Sequence, residues 1–359
     1  MTGSQRILQI TSYPPPRSGW GVRVQFLKRA LEALGHECTV LNIGQSRTIP
    51  SPEYVTVEGA RDYVRKVWRY ARHGYLLHVH VNGASPKGFV LALTAEALAC
   101  LAGRRPVLTF HAGVDQIYFP RPKHPVLLPM YRVLFGLPRA VICNSDAVKT
   151  KIAEYGVAPA RIHAIPAFTR QYLEGVPADL PSGLVRFFDA FPHVVFSYVR
   201  LRPLFFPLDV IEAFAALTRR RPDVGLVLCG VSGHTEGDLA DRVEARLAED
   251  GLAGRVLVVD DLDHGQFLAA LERSTVYLRT HVSDGVCSSV LEALALGVPV
   301  IATENRTRPA SVLTYDPEDV DRLVALLTEV LDHREEIVQS LVRPEIRDTL
   351  ADEVRVLTA

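Results

Sequence analysis

The run from Ser283 to Thr303, SDGVCSSVLEALALGVPVIAT, leaves few choices for the chain that contains it. Gly285 frees a loop, and Val290, Leu291, Leu294 and Leu296 recur at helical spacing. Gly297-Val298-Pro299 then stops the helix, and Val300-Ile301-Ala302 runs on as an interior strand. Loop, helix, turn and buried strand in that order make the repeating unit of a parallel α/β sheet. Asp284 and Glu292 lie eight positions apart (284 to 292), just before the helix and two turns along it. The amides of Val286, Cys287, Ser288 and Ser289 at the helix start suit a phosphate. A carboxylate deeper in the helix can accept hydrogen bonds from the hydroxyls of a ribose or hexose. Together these residues predict a site for a sugar attached to a phosphate.

The same unit recurs along the chain, and 359 residues are enough for about two domains with separate cores. Arg6 to Thr11 is a buried strand, followed by a loop to Gly21 and a helix from about Val22 to Leu34. Gly19-Trp20-Gly21 falls in that loop, at the carboxyl end of the strand, where open α/β sheets bind ligands. A dinucleotide fingerprint needs a third glycine at position 24, which is Val24, so a nicotinamide enzyme is not indicated. Leu76 to Val81 and Pro106 to Phe110 are further strands, the second ending at His111. His78 and His80 alternate with apolar residues, and no metal-ligand set surrounds them. Glu58 to His73 reads as a helix with Val64, Val67, Trp68 and Ala71 on one stripe and Arg61, Arg65, Arg69 and Arg72 on another. That arginine face is either simply solvated or a patch for anionic lipid or a charged acceptor.

Gln171 to Pro192 carries Pro and Gly without periodicity and marks the domain boundary, giving 1–178 and 179–337. The segment 338–359 is expected to pack back on the first domain through its last helix. Strand His193 to Tyr198 opens the second domain. A loop bearing Arg200, Arg202 and Phe205 follows, then an apolar helix, then strand Gly225 to Cys229 ending at Gly230.

Forty basic and forty acidic side chains balance, which excludes the broad positive field of a nucleic-acid binder. Five cysteines without a CxxC pair suit buried free thiols in a reducing cytosol. Met1 to Gln5 is polar, unlike a leader, and the longest apolar run, Gly88 to Gly103, is too short for a bilayer and holds Glu96. A cytoplasmic protein is expected, with peripheral contact at the inner face of the membrane left open by the arginine face.

The pattern acidic-Gly-x5-Leu-Glu-Ala-x-Ala-x-Gly-x-Pro-Val-Ile-Ala, carried here by Asp284 to Ala302, resembles the signature of the retaining family-4 glycosyltransferases. The resemblance spans nearly the whole chain and is strongest from Val195 to Thr303. It implies the GT-B fold: two Rossmann-like α/β domains with mainly parallel sheets facing a central cleft. It also implies transfer of a hexosyl unit from a nucleotide-diphosphate sugar to a hydroxyl acceptor, with retention and without a metal. Carried over by position, Glu292 binds donor hydroxyls. Asp284 and Gly285, with the Val286 to Ser289 amides, hold sugar and diphosphate, and Arg200 grips the leaving diphosphate. His111 and the Gly19–Gly21 turn complete the reacting face, and the Gly230 turn approaches the nucleotide.

The chain departs from the family in four places. Asp284 stands for the usual Glu, Pro166-Ala167-Phe168 for Pro-Asn-Gly, and His111-Ala112-Gly113 for His-Gly. Phe205 occupies the position of a lysine that neutralises the leaving group, and Arg202 is the substitute the sequence offers. A nucleotide-sugar epimerase of related fold and a nucleotide-binding partner protein without activity are the rival readings.

Overall fold

A strand paired on both sides and covered on both faces has to be apolar along its whole length, and the chain supplies two sets of such strands. The computed structural model describes all residues except 1–3, 16–18, 84, 115–117, 121–124, 175–177, 232–236, 250, 261 and 283–286. It divides into two compact units, Met1–Gln171 with Arg347–Ala359, and Tyr172–Ile346.

The first unit runs β1 (Arg6–Thr11), α1 (Gly19–Ala33), β2 (Glu37–Asn42), α2 (Ala60–Arg72), β3 (Leu76–Val81) and α3 (Pro86–Leu101). It continues with β4 (Val107–Phe110), α4 (Leu128–Gly136), β5 (Ala140–Cys143), α5 (Asp146–Ala153) and β6 (Ile162–Ala164), and a C-terminal helix (Thr349–Thr358) belongs to it. Its sheet is parallel in the order β2-β1-β3-β4-β5-β6. One face, with Leu8, Ile10, Leu77, Val79, Leu108 and Phe110, packs against α2, α3 and α4. The other face changes character along the strands. Ile7, Leu76, Val107 and Ile142 pack under Leu27 and Leu31 of α1 and Leu350, Val354 and Leu357 of the C-terminal helix. Two residues further along β1, β3 and β4, with the same side-chain direction, come Gln9, His78 and Thr109, all buried.

The second unit runs α6 (Ser182–Ala190), β7 (His193–Tyr198), α7 (Pro207–Thr218), β8 (Val224–Cys229), α8 (Leu239–Leu247), β9 (Val256–Val259) and α9 (His264–Arg273). Then come β10 (Val276–Arg279), α10 (Ser288–Ala295), β11 (Val300–Thr303), β12 (Leu313–Tyr315), α11 (Val320–Asp332) and α12 (Arg334–Ser340). The order is β12-β11-β10-β7-β8-β9, again parallel. Both sheets are doubly wound Rossmann-like sheets. The winding reverses between β1 and β3 in one and between β7 and β10 in the other. Ligands of such sheets bind at the carboxyl ends of the strands at that reversal.

Three local expectations need correction. Gly19-Trp20-Gly21 is the first turn of α1 and not a loop before it. The segment read as aperiodic boundary contains α6, with Leu184, Phe187 and Phe188 buried at helical spacing. On α2 the buried stripe is Tyr63, Val67 and Ala71, while Val64 and Trp68 are 41% and 36% exposed. Tyr63 takes the inner position because its hydroxyl finds the Leu91 carbonyl, 2.8 Å away. No helix among the described residues is long and apolar enough to cross a membrane.

Candidate active site

At the sheet reversal of the second unit, two guanidinium groups share one aromatic ring. Arg200 lies just past β7; its Nε donates to the Tyr198 hydroxyl at 2.9 Å, and its guanidinium carbon stands 5.4 Å from the ring centre. Arg279, the last residue of β10, approaches the same ring at 5.7 Å and the Phe205 ring at 5.2 Å. Arg279 is 7% exposed, so its charge is carried in a largely dry setting. The Tyr198 ring can lie there because residue 230 is glycine: its φ is +81°, and a Cβ would come within 2.6 Å of the ring. Gly230 therefore shapes the cation pair through Tyr198.

Phe205 sits in a short 3-10 turn before α7, 9% exposed, against His281 at 4.2 Å between ring centres, and its carbonyl accepts from the Thr280 hydroxyl. The position where the resemblance puts a lysine is thus part of the core, and a guanidinium from β10 lies over it. Sequence spacing did not point to Arg279, because a charged residue ending a buried strand announces nothing about the neighbouring strand. Arg202 is half-buried at the start of the same turn.

The signature helix is α10. Cys287 is its N-cap, and the Cys287 side chain makes no capping hydrogen bond to the first turn, whose amides begin at Ser288 and Ser289. The Ser289 hydroxyl accepts from the Tyr277 hydroxyl at 2.7 Å and lies 3.2 Å from the Cys287 sulfur. Ser283, Asp284, Gly285 and Val286 lie outside the described residues. Glu292 faces inward, 4% exposed, and one carboxylate oxygen is 2.9 Å from Nε2 of His264. His264 opens α9, where Asp263 and Gln266 form a capping box that fixes the helix start. The Tyr172 ring meets its imidazole edge-on at 5.5 Å. His264 was not among the sequence candidates, although the Asp263-x-x-Gln266 cap places it at a helix N-terminus.

The first unit has its own polar cluster at the β1/β3 reversal. His111 follows β4; its backbone N–H donates to the Val81 carbonyl at 2.7 Å, and Trp20 stands edge-on to its ring at 5.0 Å. Its Nε2 is 2.8 Å from Nδ1 of His80, whose Nε2 is 2.8 Å from the Gln9 side-chain oxygen. Burial pushes His111 down to about 3, with the Glu353 field opposing and those of His78 and Arg23 adding to the shift. His80 and His111 bond to each other, while His78 bonds to the Thr109 hydroxyl at 2.6 Å with a Glu353 carboxylate oxygen 4.0 Å away. Among the described residues no group of His, Cys, Asp and Glu side chains is arranged to hold a metal ion. Gly21 is buried, while a Cβ on Gly19 would meet nothing within 4 Å.

Comparison with known proteins agrees with this layout. Residues 17–169 match the model of Glycosyltransferase Family 4, and residues 188–340 match that of Glycosyl transferases group 1. No curated protein matches the sequence. Among solved structures, Anabaena HepE in complex with UDP-glucose is 17% identical with a TM-score of 0.69, over 97% of each chain. Sucrose-phosphate synthase from Thermosynechococcus elongatus is 18% identical, with a TM-score of 0.68 over 98% of each chain. A putative UDP-N-acetylglucosamine 2-epimerase from Listeria monocytogenes shares the fold at 14% identity and a TM-score of 0.67, over 99% of this chain and 96% of that one. With the two family models together spanning most of the chain and both sheets wound as described, the chain belongs to the family-4-like glycosyltransferases of GT-B fold.

Proposed function

We propose that the chain moves a hexosyl unit from a nucleotide-diphosphate sugar to a hydroxyl acceptor, with retention of anomeric configuration and without a metal. The observation that carries this reading is the Arg200–Tyr198–Arg279 cluster at the β7/β10 reversal. A departing nucleoside diphosphate concentrates negative charge, and fixed cations in a dry setting stabilise it by a large electrostatic term. Arg279 takes the part of the lysine absent at Phe205, with Arg202, at the start of the Phe205 turn, as the further cation. Glu292, oriented by His264, accepts from donor hydroxyls, and the Cys287, Ser288 and Ser289 amides hold the phosphate or sugar end. His111 and the Gly19–Gly21 turn serve the reacting face. Retention without a protein nucleophile fits attack on the face the leaving group departs from, with a leaving phosphate oxygen taking the acceptor proton.

Anabaena HepE was solved with UDP-glucose, which supports a UDP-sugar as the first donor to try. A calorimetric panel of UDP, GDP, ADP and TDP with their hexose conjugates, run with and without EDTA, tests the reading. One nucleotide is expected to bind alike in both conditions and to lose its affinity in Arg200→Ala. Glu292→Ala is expected to abolish turnover nearly completely. If none of the nucleotides binds, the reading fails.

The acceptor side carries a second proposal. The outward face of α2 presents Arg61, Val64, Arg65, Trp68, Arg69 and Arg72. That of the adjacent α3 presents Val90 and Leu101, 64% and 75% exposed. Basic side chains beside exposed apolar ones suit an anionic membrane surface, and this supports the reading that the protein works peripherally at the inner leaflet.

A further inference from the structure

The buried histidines of the first unit form a directional hydrogen-bond chain with a chemical consequence at its end. Gln9, on β1, sits beside His78 in the register of β1 and β3, and His80 lies two residues further along β3. His80 uses both ring nitrogens, Nε2 at 2.8 Å from the Gln9 Oε1 and Nδ1 at 2.8 Å from the His111 Nε2. The rings of His80 and His111 are nearly parallel, 11° apart with centres 5.1 Å apart, which fits a bond lying in both ring planes. A carbonyl oxygen only accepts, so the single proton of a neutral His80 lies on Nε2. Its Nδ1 then only accepts, and the proton between the two rings belongs to His111 Nε2. His111, neutral, is left with a bare Nδ1.

The neighbouring His78 follows the same rule. Its Nε2 is 2.6 Å from the Thr109 hydroxyl, while its buried Nδ1 has no partner. A Glu353 carboxylate oxygen, which only accepts, lies 4.0 Å from the same Nε2, which puts this proton on Nε2 as well. The ring of His78 lies 4.2 Å from that of His80.

We propose that His80 is a positioning residue that fixes His111 as the Nε2–H tautomer, so that His111 Nδ1 meets a sugar hydroxyl as a hydrogen-bond acceptor and not as a cation. This rests on the assignment of His111 to the reacting face. Gln9 sets the direction of the chain: with Oε1 toward His80, its Nε2 is buried without a hydrogen-bond partner. The amide turned the other way would donate to His80 and move the proton of both rings to Nδ1, the alternative that a tautomer spectrum distinguishes.

The test uses full-length protein with 15N-labelled histidine and a long-range 1H–15N spectrum, in which the two neutral tautomers give different patterns. His111 is expected to carry its proton on Nε2 alone. Two substitutions of His80 then separate positioning from the filling of a polar core. Asn places its amide near the former Nδ1 and can still accept from His111, whereas Gln places it near the former Nε2 and serves only Gln9. His80→Gln is expected to leave His111 as a tautomer mixture. It is also expected to lower kcat ten- to a hundredfold with the donor KM unchanged, as loss of orientation at a reacting group does. His80→Asn is expected to keep the tautomer and to turn over at least fivefold faster than His80→Gln at equal melting temperature. A wild-type His111 protonated on Nδ1 overturns the proposal, and so do two variants with the same tautomer and rate. The wild-type spectrum decides even where a variant does not fold. If no transfer is seen at all, the proposed function falls while the tautomer remains measurable.

Discussion

Arg279 and Phe205 show how one function can move between positions that are distant in sequence. The two lie 74 residues apart (205 to 279), yet the guanidinium stands over the ring at 5.2 Å. Their partnership depends on strand order, since β10 pairs with β7 and the Phe205 turn follows β7. An arginine keeps its charge even when dried, so it can act from a buried strand end where a lysine would tend to lose its proton. Arg279→Met is therefore expected to lower kcat for transfer by roughly a hundredfold or more, the range seen when one donor to a developing charge is removed. Arg279→Lys is expected to retain only part of wild-type activity, since a lysine dried at that strand end tends to lose its proton. Steady-state kinetics on the two variants measure both effects. An Arg279→Met enzyme within threefold of wild type would show that the leaving group is stabilised elsewhere. The sequence offered Glu292 and the α10 amides as candidates through a local motif with its own physical reason, and Arg200 through the family resemblance. It hid Arg279, His264 and the His80–His111 pair, because each of these gains its role from a partner brought in by the winding of the sheet.

At the level of elements, strands were the easiest to read and helices with two demands on them the hardest. β3 and β7 fall where their apolar runs put them, Leu76–Val81 and His193–Tyr198. α6 was hidden among prolines and glycines, and only Leu184, Phe187 and Phe188 marked its buried face. On α2 a tyrosine displaced Val64 and Trp68 from the core, and the guanidinium of Arg72 now lies over the Trp68 ring at 5.7 Å. Asp62 is engaged by Lys66 at 2.7 Å and Arg65 at 3.0 Å, which leaves the outer face of the helix with arginine charge and indole surface. Each basic residue near an anionic leaflet contributes about 1 kcal/mol. Removing two charges, as in Arg61→Gln with Arg69→Gln, is then expected to weaken binding to phosphatidylglycerol vesicles about thirtyfold. Wild-type protein is expected to float with those vesicles, to ignore neutral phosphatidylcholine ones, and to detach as salt is raised. Equal absence from both kinds of vesicle would leave the arginines as a solvated face and remove the membrane reading.

Taken whole, the chain ends in the unit in which it begins. After Ile346 it rejoins the first unit, and the C-terminal helix supplies part of that unit's core through Leu350, Val354 and Leu357. A buried ion pair accompanies them. Arg23 of α1 meets Glu353 at 2.7 Å, each side chain 3% exposed, and also donates to the Thr349 hydroxyl at 2.8 Å and the Thr349 carbonyl at 2.9 Å. Arg139 donates to the carbonyls of Leu357 and Ala359 at 3.0 and 2.7 Å. A pair so deeply buried adds little over well-packed apolar residues, but breaking it leaves a charge stranded, at about 3–5 kcal/mol. Two units with separate cores need not unfold together. Glu353→Ala is therefore expected to lower the unfolding transition of the first unit by that amount while the transition of the second stays where it was. Replacing both partners, Arg23→Met with Glu353→Leu, is expected to recover most of the loss because no charge remains to be stranded. Calorimetry resolves the two transitions, and binding of the donor nucleotide identifies the one that belongs to the second unit. Should Glu353→Ala shift that nucleotide-responsive transition instead, the C-terminal helix would be supporting the second unit, and the assignment of the last residues to the first would be wrong.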